Sequence, residues 1–321
     1  MVKIMNLIIY MPAYNECDSI QQVINSLPCQ LDKIDQIQVL VIDDGSSDKT
    51  AQVARDCGAQ VILHNRNRGV GAAFQTAVQF ALENDADILV SIDADGQFDP
   101  AEIPGLIQPI ITHEADMVIG NRFASGKPNY MPGVKYWGNQ QVAKLVRGIC
   151  NQNFMDVSSG FRAYDREALL RLNIFGKFTY THETILSLVY QELCVKEVPV
   201  QVKYYPERKS RVAGSLPRYA LQVSKIILRV LLDYRPMMVF GSMGGIFLLI
   251  GCAFELFLMG HYVFEHSFTP YKTAGFIGLG FIIFGMLVLL IALITDMLNR
   301  LKVNQDKLLY EIKKIKYNKN L

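Results

Sequence analysis

The sequence predicts an α/β protein with a doubly wound, mostly parallel sheet, followed by membrane-associated helices near the C-terminus. Three observations support this class. Short apolar runs alternate with helical patterns over the first 120 residues, polar motifs follow the ends of these runs, and two long apolar runs stand close together near the C-terminus. A β-α-β-α order places sequential strands in parallel, because each helix carries the chain back across the sheet.

The α/β region resolves into short strands with helices between them. Five runs have the length and composition of buried strands: Leu7–Met11, Gln38–Ile42, Gln60–Leu63, Ile88–Ile92 and Met117–Ile119. The intervening helical patterns cover Cys17–Leu27, Asp48–Cys57, Gly71–Glu83 and Ala101–Thr112. Pro100 suits the start of the last helix, because its fixed φ and missing N–H are tolerated there.

Two apolar runs of 23 residues, Met237–Met259 and Thr273–Thr295, contain a single charge, Glu255. At about 1.5 Å per residue each is about 35 Å long, enough to cross a hydrocarbon core of about 30 Å. The alternative is a pair of buried helices in a soluble protein. A content of 50% hydrophobic and 19% charged residues favours membrane spans. Both runs contain glycines that would permit close helix packing: Gly241, Gly244 and Gly245, and Gly275, Gly278 and Gly280.

Basic residues predict the orientation of these spans. They flank the pair on its outer sides, at Arg229, Arg235, Arg300, Lys302 and Lys307, whereas the connecting loop holds only Lys272. The N-terminal domain and the C-terminal tail are therefore both expected to face the cytoplasm. Residues 297–321 carry seven Lys or Arg against two acidic residues, a balance of +5, which suits anionic lipid headgroups rather than nucleic acid.

These patterns divide the chain into a cytoplasmic α/β domain at 1–215, an interfacial helix at 216–235, the two spans within 236–296, and a basic cytoplasmic tail at 297–321. The interfacial helix is predicted from one polar face opposite an apolar one, with Arg218, Gln222, Lys225 and Arg229 on the polar face. Its alternative is a helix packed on the soluble domain. The helix-prone tail would either extend the second span or pair with other copies in a homo-oligomer.

The cysteines and the N-terminus point to a cytosolic domain. The six cysteines show neither paired spacing nor a metal-ligand pattern, so we expect reduced thiols. The first apolar run is short and contains Pro12, so no signal peptide is expected.

Acidic and polar motifs follow three of the predicted strands. Asp93-Ala94-Asp95-Gly96-Gln97 comes after the fourth strand, where open α/β sheets bind ligands. Carboxylate oxygens that leave room for water and phosphate are typical ligands of Mg²⁺ or Mn²⁺, although a solvated acidic turn is the alternative. The other motifs are Pro12-Ala13-Tyr14-Asn15-Glu16 and Asp43-Asp44-Gly45-Ser46-Ser47-Asp48, which in isolation read as turns or helix caps.

In this order and at this separation, the three motifs resemble the family-2 inverting glycosyltransferases of GT-A, Rossmann-like fold. Gly120-Asn121-Arg122-Phe123 and the segment from Asp156 to Tyr164 are similar to the branch that includes dolichyl-phosphate mannosyltransferases and bactoprenol glucosyltransferases. The latter also carry two membrane spans after the catalytic domain. The only tryptophan is Trp137, so the Gln-x-x-Arg-Trp motif of processive polysaccharide synthases is absent.

The resemblance implies a donor site and a metal site. The nucleotide sugar would contact Pro12, Ala13, Tyr14, Glu16, Val41, Asp43, Asp93 and Ala94. The metal, Mg²⁺ or Mn²⁺, would be held by Asp93, Asp95 and Gln97 and would bridge the donor diphosphate. Asp95 is thereby also expected to be catalytic.

The resemblance also implies an acceptor site for a lipid phosphate. Arg122 and Arg211 match arginines that bind the acceptor phosphate in relatives, and Lys135 and Asn139 fall where relatives often carry Arg and Ser. Asp156 is the candidate general base; alternatively it orients Arg122 or Arg162, or caps a turn. The Ser-Lys pair that relatives carry after Gly214 is replaced here by Ser215-Leu216-Pro217, with Arg208 as a candidate substitute for the missing cation.

The resemblance implies metal-dependent, inverting transfer of a hexose to a polyprenyl (undecaprenyl) phosphate at the cytoplasmic membrane face. The expected donor is UDP-glucose, which would supply glucose. GDP-mannose or another nucleotide sugar, such as an aminoarabinose derivative, is the alternative donor. A non-catalytic membrane binding protein is the alternative of a different class. It would be expected to have lost some metal or phosphate ligands, and all three acidic motifs are intact.

Overall fold

The computed structural model describes residues 5–173, 180–204 and 235–317, together with positions 221, 225, 228, 231 and 232. Over these residues the α/β unit contains a seven-stranded sheet. Its strands are β1 (Asn6–Ala13), β2 (Gln36–Asp43), β3 (Gln60–Leu63), β4 (Ile88–Ser91), β5 (Met117–Asn121), β6 (Arg162–Asp165) and β7 (Val195–Pro199).

The described helices of this unit are α1 (Ile20–Asn25), α2 (Thr50–Asp56), α3 (Val70–Glu83), α4 (Ile103–Ile111), α5 (Gly133–Cys150), α6 (Arg166–Arg171) and α7 (Thr181–Tyr190). A short 3₁₀ turn, Pro100–Glu102, precedes α4, and the Asp99 side chain caps it by accepting the Ala101 N–H. Pro100 therefore begins this helical segment, as its fixed φ predicted.

The sheet order is β3-β2-β1-β4-β6-β5-β7. Strands β3, β2, β1 and β4 are mutually parallel, and β5 is parallel to β7. β6 is antiparallel to both of its neighbours, with Arg162 paired to Ser91 of β4. The predicted doubly wound, mostly parallel sheet is confirmed. The antiparallel strand brings the residues that precede Arg162 to the carboxyl end of β4.

The central strands form the core of this unit. Ile9, Val90 and Val118 have no exposed surface and lie in one hydrophobic cluster with α1 and α4. Strands covered on both faces are continuous apolar runs, which is why the sequence pattern identified them. Each such side chain contributes about 1.5–3 kcal/mol on burial, so the core fixes the strand ends that carry the polar motifs.

The second compact unit, residues 224–305, contains α8 (Pro236–Glu265) and most of α9 (Lys272–Tyr317). Both helices are long and apolar enough to cross a membrane. The glycine prediction is corrected in part. A Cβ at Gly251 would lie 2.6 Å from Ile282 Cγ1, and one at Gly244 would lie 2.8 Å from Leu289 Cγ, whereas Gly241 faces open space. Gly245 and Gly280 also face open space, and the close contacts on α9 are made by Gly275, Gly278 and Gly285.

The helix α9 does not end with the apolar run at Thr295, because it continues to Tyr317. Of the two alternatives given for the tail, extension of the second span and pairing with other copies, the helix has the extent that the first one predicts. Residues 306–317 belong to the same compact unit as the α/β domain. There Lys313 Nζ donates to the Leu172 carbonyl at 2.6 Å, and the Tyr310 hydroxyl donates to Glu167 at 3.2 Å.

The interfacial helix predicted for residues 216–235 lies largely outside the described residues. The described positions 221, 225, 228, 231 and 232 are helical. Its amphipathic character stays a prediction.

Candidate active site

The loops after β1, β2 and β4 are joined to one another at the carboxyl edge of the sheet. The Asn15 side-chain oxygen accepts the Ser47 N–H at 2.8 Å, and the Asn15 N–H donates to the Ser46 hydroxyl at 2.9 Å. The Ser19 hydroxyl donates to the Ala94 carbonyl at 2.9 Å. The three predicted motifs therefore form one site.

A cavity of about 240 Å³ opens between these loops. It is lined by Pro12, Ala13, Tyr14, Glu16, Asp44, Asn67, Gly69, Val70, Asp93, Ala94 and Asp95. Most residues predicted to contact the nucleotide sugar are in this set. Val41 instead lies in the hydrophobic core, and the Asp43 carboxylate accepts the Ser46 N–H at 2.7 Å beside the cavity.

The cavity wall formed by Asn67, Gly69 and Val70 was not predicted, and Asp44 explains its position. The Asp44 carboxylate is buried and accepts the backbone N–H groups of Arg68 and Gly69 at 2.9 and 2.7 Å. Gly69 has φ 88°, a left-handed conformation that favours glycine, and it precedes the first turn of α3. The only sequence signal was the glycine before a helical pattern.

Asp93 and Asp95 line the cavity as a pair of carboxylates. Burial and the neighbouring Asp95 charge raise the pKa of Asp93 to about 7, because two anions in a poorly solvated site repel each other. The Gln97 N–H donates to Asp95 at 3.0 Å. A Cβ at Gly160 would lie 3.2 Å from both Asp93 carboxylate oxygens, so only glycine leaves this side of the carboxylate clear.

The donor set at this position fits a hard divalent cation. Over the described residues, no group of three or more His, Cys, Asp or Glu side chains surrounds a common point. Two carboxylates alone suit Mg²⁺ or Mn²⁺, which keep water and phosphate oxygens in the remaining positions. Gln97, the predicted third ligand, fixes Asp95 through its backbone and is not among the residues that line the cavity.

Arg122 and Asp156 form a bidentate ion pair beside this cavity. Arg122 Nε and Nη2 lie 2.6 and 2.8 Å from the two Asp156 oxygens. The backbone N–H of Arg122 also donates to the Asp156 carboxylate. Burial would raise the pKa of Asp156, but the Arg122 guanidinium outweighs it and holds the pKa below its usual value. Arg162 instead donates to the carbonyls of Ser159 and Thr181, so it braces the backbone.

This geometry favours one of the alternatives that the sequence left open for Asp156. A carboxylate with a lowered pKa and both oxygens engaged is a weak proton acceptor. Its contacts are those expected of a residue that orients Arg122. It also accepts the Ser158 N–H at 3.2 Å, which matches a turn cap.

Lys135 adds a second cation at this edge of the site. It lies in the first turn of α5, and its ammonium stands 5.3 Å from the ring centroid of Tyr204. Burial, followed by the nearby Arg122 charge, lowers the pKa of Lys135. The charges of Arg122 and Lys135 both oppose the rise in the pKa of Asp93, so these cations lie near the Asp93–Asp95 pair. Asn139 lies one helical turn after Lys135.

The other two cations expected at the acceptor site, Arg211 and its neighbour Arg208, lie outside the described residues.

Glu197 of β7 holds this half of the site together and was not predicted. Its carboxylate accepts the N–H groups of Met155 and Asp156 at 2.8 and 2.7 Å, and the Asn121 side-chain amide at 3.0 Å. It thus joins the strand end that carries Arg122 to the turn that carries Asp156. Within the pattern Val195–Pro199 it reads only as a polar residue of an edge strand, so the sequence carried no signal for this role.

Residues 8–172 match the sequence profile of Glycosyl transferase family 2, and they include all three strand-end motifs. The chain belongs to glycosyl transferase family 2. It is therefore a glycosyltransferase, and its mixed sheet with loops gathered at one edge is the GT-A fold that the motifs implied.

Curated relatives extend the similarity beyond this region. Glycosyltransferase AglJ of Haloferax volcanii is 27% identical over 304 residues, covering 94% of this chain and 96% of that protein. The UDP-N-acetylglucosamine–dolichyl-phosphate N-acetylglucosaminyltransferase of Methanococcus voltae is 32% identical, covering 60% of this chain and 84% of its own length. The undecaprenyl-phosphate mannosyltransferase of Micrococcus luteus is 30% identical over 179 residues, covering 53% of this chain and 70% of that protein.

Among solved structures, glucosyl-3-phosphoglycerate synthase from Mycobacterium tuberculosis superposes with a TM-score of 0.53 at 22% identity. The match covers 70% of this chain and 79% of that one, which was crystallised with Mn²⁺ and UDP-glucose. At this identity the likeness concerns the fold.

Proposed function

We propose that this glycosyltransferase transfers a hexose, glucose from UDP-glucose, to a polyprenyl phosphate at the cytoplasmic face of a membrane, with inversion at the anomeric carbon. The observation that carries the proposal is the juxtaposition of a carboxylate-lined cavity with the cations Arg122 and Lys135, whose charges act on Asp93. Such a site would suit two anionic substrates, one held through a divalent cation on Asp93 and Asp95 and the other held directly by Arg122 and Lys135.

The cavity supports the donor half of this proposal. Tyr14 and Val70 offer apolar surface to a nucleoside, while the Glu16 carboxylate offers an acceptor for its hydroxyl or imide hydrogens. Asp93 and Asp95 would hold the divalent cation, and when bound this cation would neutralise the charge that develops on the departing diphosphate.

The acceptor half rests on the cations and on the names of the relatives. Arginine and lysine side chains suit a phosphate monoester, and Arg122 presents a guanidinium already oriented by Asp156. A phosphate monoester has a second pKa of about 6, so it is largely anionic at neutral pH and needs positioning more than deprotonation. Two of the relatives are named for a dolichyl or undecaprenyl phosphate acceptor.

The two apolar helices support a membrane-bound enzyme, because a polyprenyl phosphate is itself confined to the bilayer. The excess of Lys and Arg outside the two runs supports a cytoplasmic catalytic domain and tail. Arg211 and Asn139 remain proposed acceptor ligands on the resemblance, and Val41, Asp43 and Gln97 remain proposed donor-site residues.

A transfer assay tests the proposal. Membranes containing the protein, given radiolabelled UDP-glucose, undecaprenyl phosphate and Mg²⁺ or Mn²⁺, are expected to form a lipid-linked glucose of inverted configuration. Asp95→Asn should abolish the product. Asp99→Asn is the matched control, because Asp99 only caps the adjacent 3₁₀ turn and asparagine caps equally well. Full activity in Asp95→Asn would refute the metal assignment.

A panel of nucleotide sugars separates the alternatives. Transfer from GDP-mannose or from UDP-N-acetylglucosamine instead of UDP-glucose would favour the sugars for which relatives are named, mannose and N-acetylglucosamine. Metal-dependent UDP binding without transfer from any donor would favour the non-catalytic binding protein.

A further inference from the structure

Tyr204 follows β7 and places one aromatic side chain against both described cations of the acceptor half of the site. Arg122 Nη1 donates to its hydroxyl oxygen at 3.3 Å, and Lys135 Nζ stands 5.3 Å from the centroid of its ring. Because the hydroxyl oxygen accepts from Arg122, its own hydrogen can be donated to a further group.

The backbone before Tyr204 is fixed to the loop that carries the donor carboxylates. The Lys203 N–H donates to the Gln97 carbonyl at 2.8 Å, and Val202 pairs with Phe98 in an isolated β-bridge. The Gln201 N–H donates to the Glu102 carboxylate at 2.9 Å. The position of Tyr204 is therefore set by the same loop that presents Asp95, which ties the two halves of the site together.

The remaining hydrogen-bonding capacity of Arg122 determines where an anion can bind it. Nε and Nη2 are already directed to the Asp156 oxygens, and Nη2 also donates to the Ser158 hydroxyl at 2.9 Å. Among the contacts made by the described residues, Nη1 is the nitrogen of this guanidinium with an N–H left for a ligand, and it is also the nitrogen that contacts Tyr204. A phosphate that reaches Arg122 must therefore come within reach of the Tyr204 hydroxyl.

We propose that Tyr204 is itself a ligand of the acceptor phosphate: its hydroxyl donates to a phosphate oxygen while its ring holds the Lys135 ammonium beside the same phosphate. This inference rests on the proposed function. It adds a neutral hydroxyl donor beside the cations Arg122 and Lys135. A tyrosine in this place favours a phosphate over the corresponding alcohol, because the alcohol lacks the charged oxygen that strengthens the hydrogen bond.

The test measures equilibrium binding of a short-chain polyprenyl phosphate and of the alcohol of the same length to the full-length protein in detergent. Tyr204→Phe removes only the hydroxyl and is expected to weaken phosphate binding about tenfold, the usual effect of losing a hydrogen bond to a charged group. Alcohol binding and Mn²⁺-dependent UDP binding should not change. Tyr204→Leu also removes the ring and should weaken phosphate binding further. Tyr190→Phe, at a half-exposed tyrosine of α7, is the control.

Unchanged phosphate binding in Tyr204→Phe would overturn the inference, and so would an equal loss for phosphate, alcohol and UDP, which would indicate a structural defect. Equal losses in Tyr204→Phe and Tyr204→Leu would refute the role of the ring. The proposed function fails in a different way, namely if the unmodified protein itself does not prefer the phosphate to the alcohol.

Discussion

Gly160 provides the sharpest test of the metal assignment, because it forms the wall beside Asp93. A Cβ added at this position would lie 3.2 Å from both carboxylate oxygens of Asp93. Ordinary contacts of this kind are 3.4–4 Å long, so in Gly160→Ala the carboxylate or the backbone must move by a few tenths of an ångström. Metal–ligand distances tolerate only about 0.2 Å, so a shift of this size disturbs coordination directly.

We expect Gly160→Ala to weaken metal binding by about 10–100-fold, the range seen when groups that support a metal ligand are altered. The direct measurement is a calorimetric titration of Mn²⁺ into the protein with UDP present. The metal concentration needed for transfer should rise in parallel, because the proposed transfer would depend on an ion held by Asp93 and Asp95.

Gly105→Ala is the matched control. Gly105 lies within α4, and a Cβ added there would have no neighbour within 4 Å, so alanine should leave metal affinity unchanged and favour the helix slightly. If Gly160→Ala binds Mn²⁺ as tightly as the unmodified protein, Asp93 is not the metal ligand in the position described.

Three further outcomes follow from the fold. Gly251→Leu should lower the thermal unfolding midpoint in detergent, because a side chain at this position would overpack the contact with Ile282, at a cost of about 1–3 kcal/mol. Gly241→Leu should leave the midpoint unchanged, because a side chain at Gly241 would face open space. Burial raises the pKa of Asp165, the N-cap residue of α6, from 3.8 to about 7. Between these pH values the folded state therefore binds more protons than the unfolded state, and the free energy of unfolding falls as the pH rises. Asp165→Asn, which keeps a capping oxygen, should therefore unfold at a higher temperature than wild type at pH 8, with the difference narrowing toward pH 5. Tyr310→Ala should make residues 306–317 more sensitive to a protease of broad specificity, such as proteinase K, because the Tyr310 hydroxyl donates to Glu167. Lys307→Ala, at an exposed position of the same helix, should leave this cleavage unchanged.

The central strands β1, β4 and β5 were predictable because they are buried on both faces and therefore form continuous apolar runs. β6 and β7 escaped prediction for physical reasons. β6 contains Arg162 and Asp165, whose side chains are hydrogen-bonded to backbone groups that the strand pattern does not reveal. β7 has only a partly buried face, and its Glu197 looks like a surface residue until its partners at Met155 and Asp156 are known.

The residues of the candidate site also fall into those that the sequence could predict and those that it could not. Tyr14, Glu16, Asp93 and Asp95, which we propose for the donor site, line one cavity. Their proximity could be predicted because each lies within a few residues of a strand end in a compact motif. Tyr204 could not, since its role depends on side chains more than 60 residues away in sequence. Local motifs fix which groups reach the sheet edge, and tertiary contacts decide which of those groups face one another.

The Arg122–Asp156 pair bears on how the acceptor would be activated. If Asp156 took a proton, the buried Arg122 charge would lose its partner, and removing one member of a buried ion pair costs about 3–5 kcal/mol. A lipid phosphate carries its own negative charge and requires no proton acceptor. Its approach also adds an anion beside Arg122, which increases the cation's interactions without breaking the existing pair. In the reaction we propose, Asp156 therefore acts best by remaining ionised and holding Arg122 in place, so that the acceptor oxygen itself is the nucleophile.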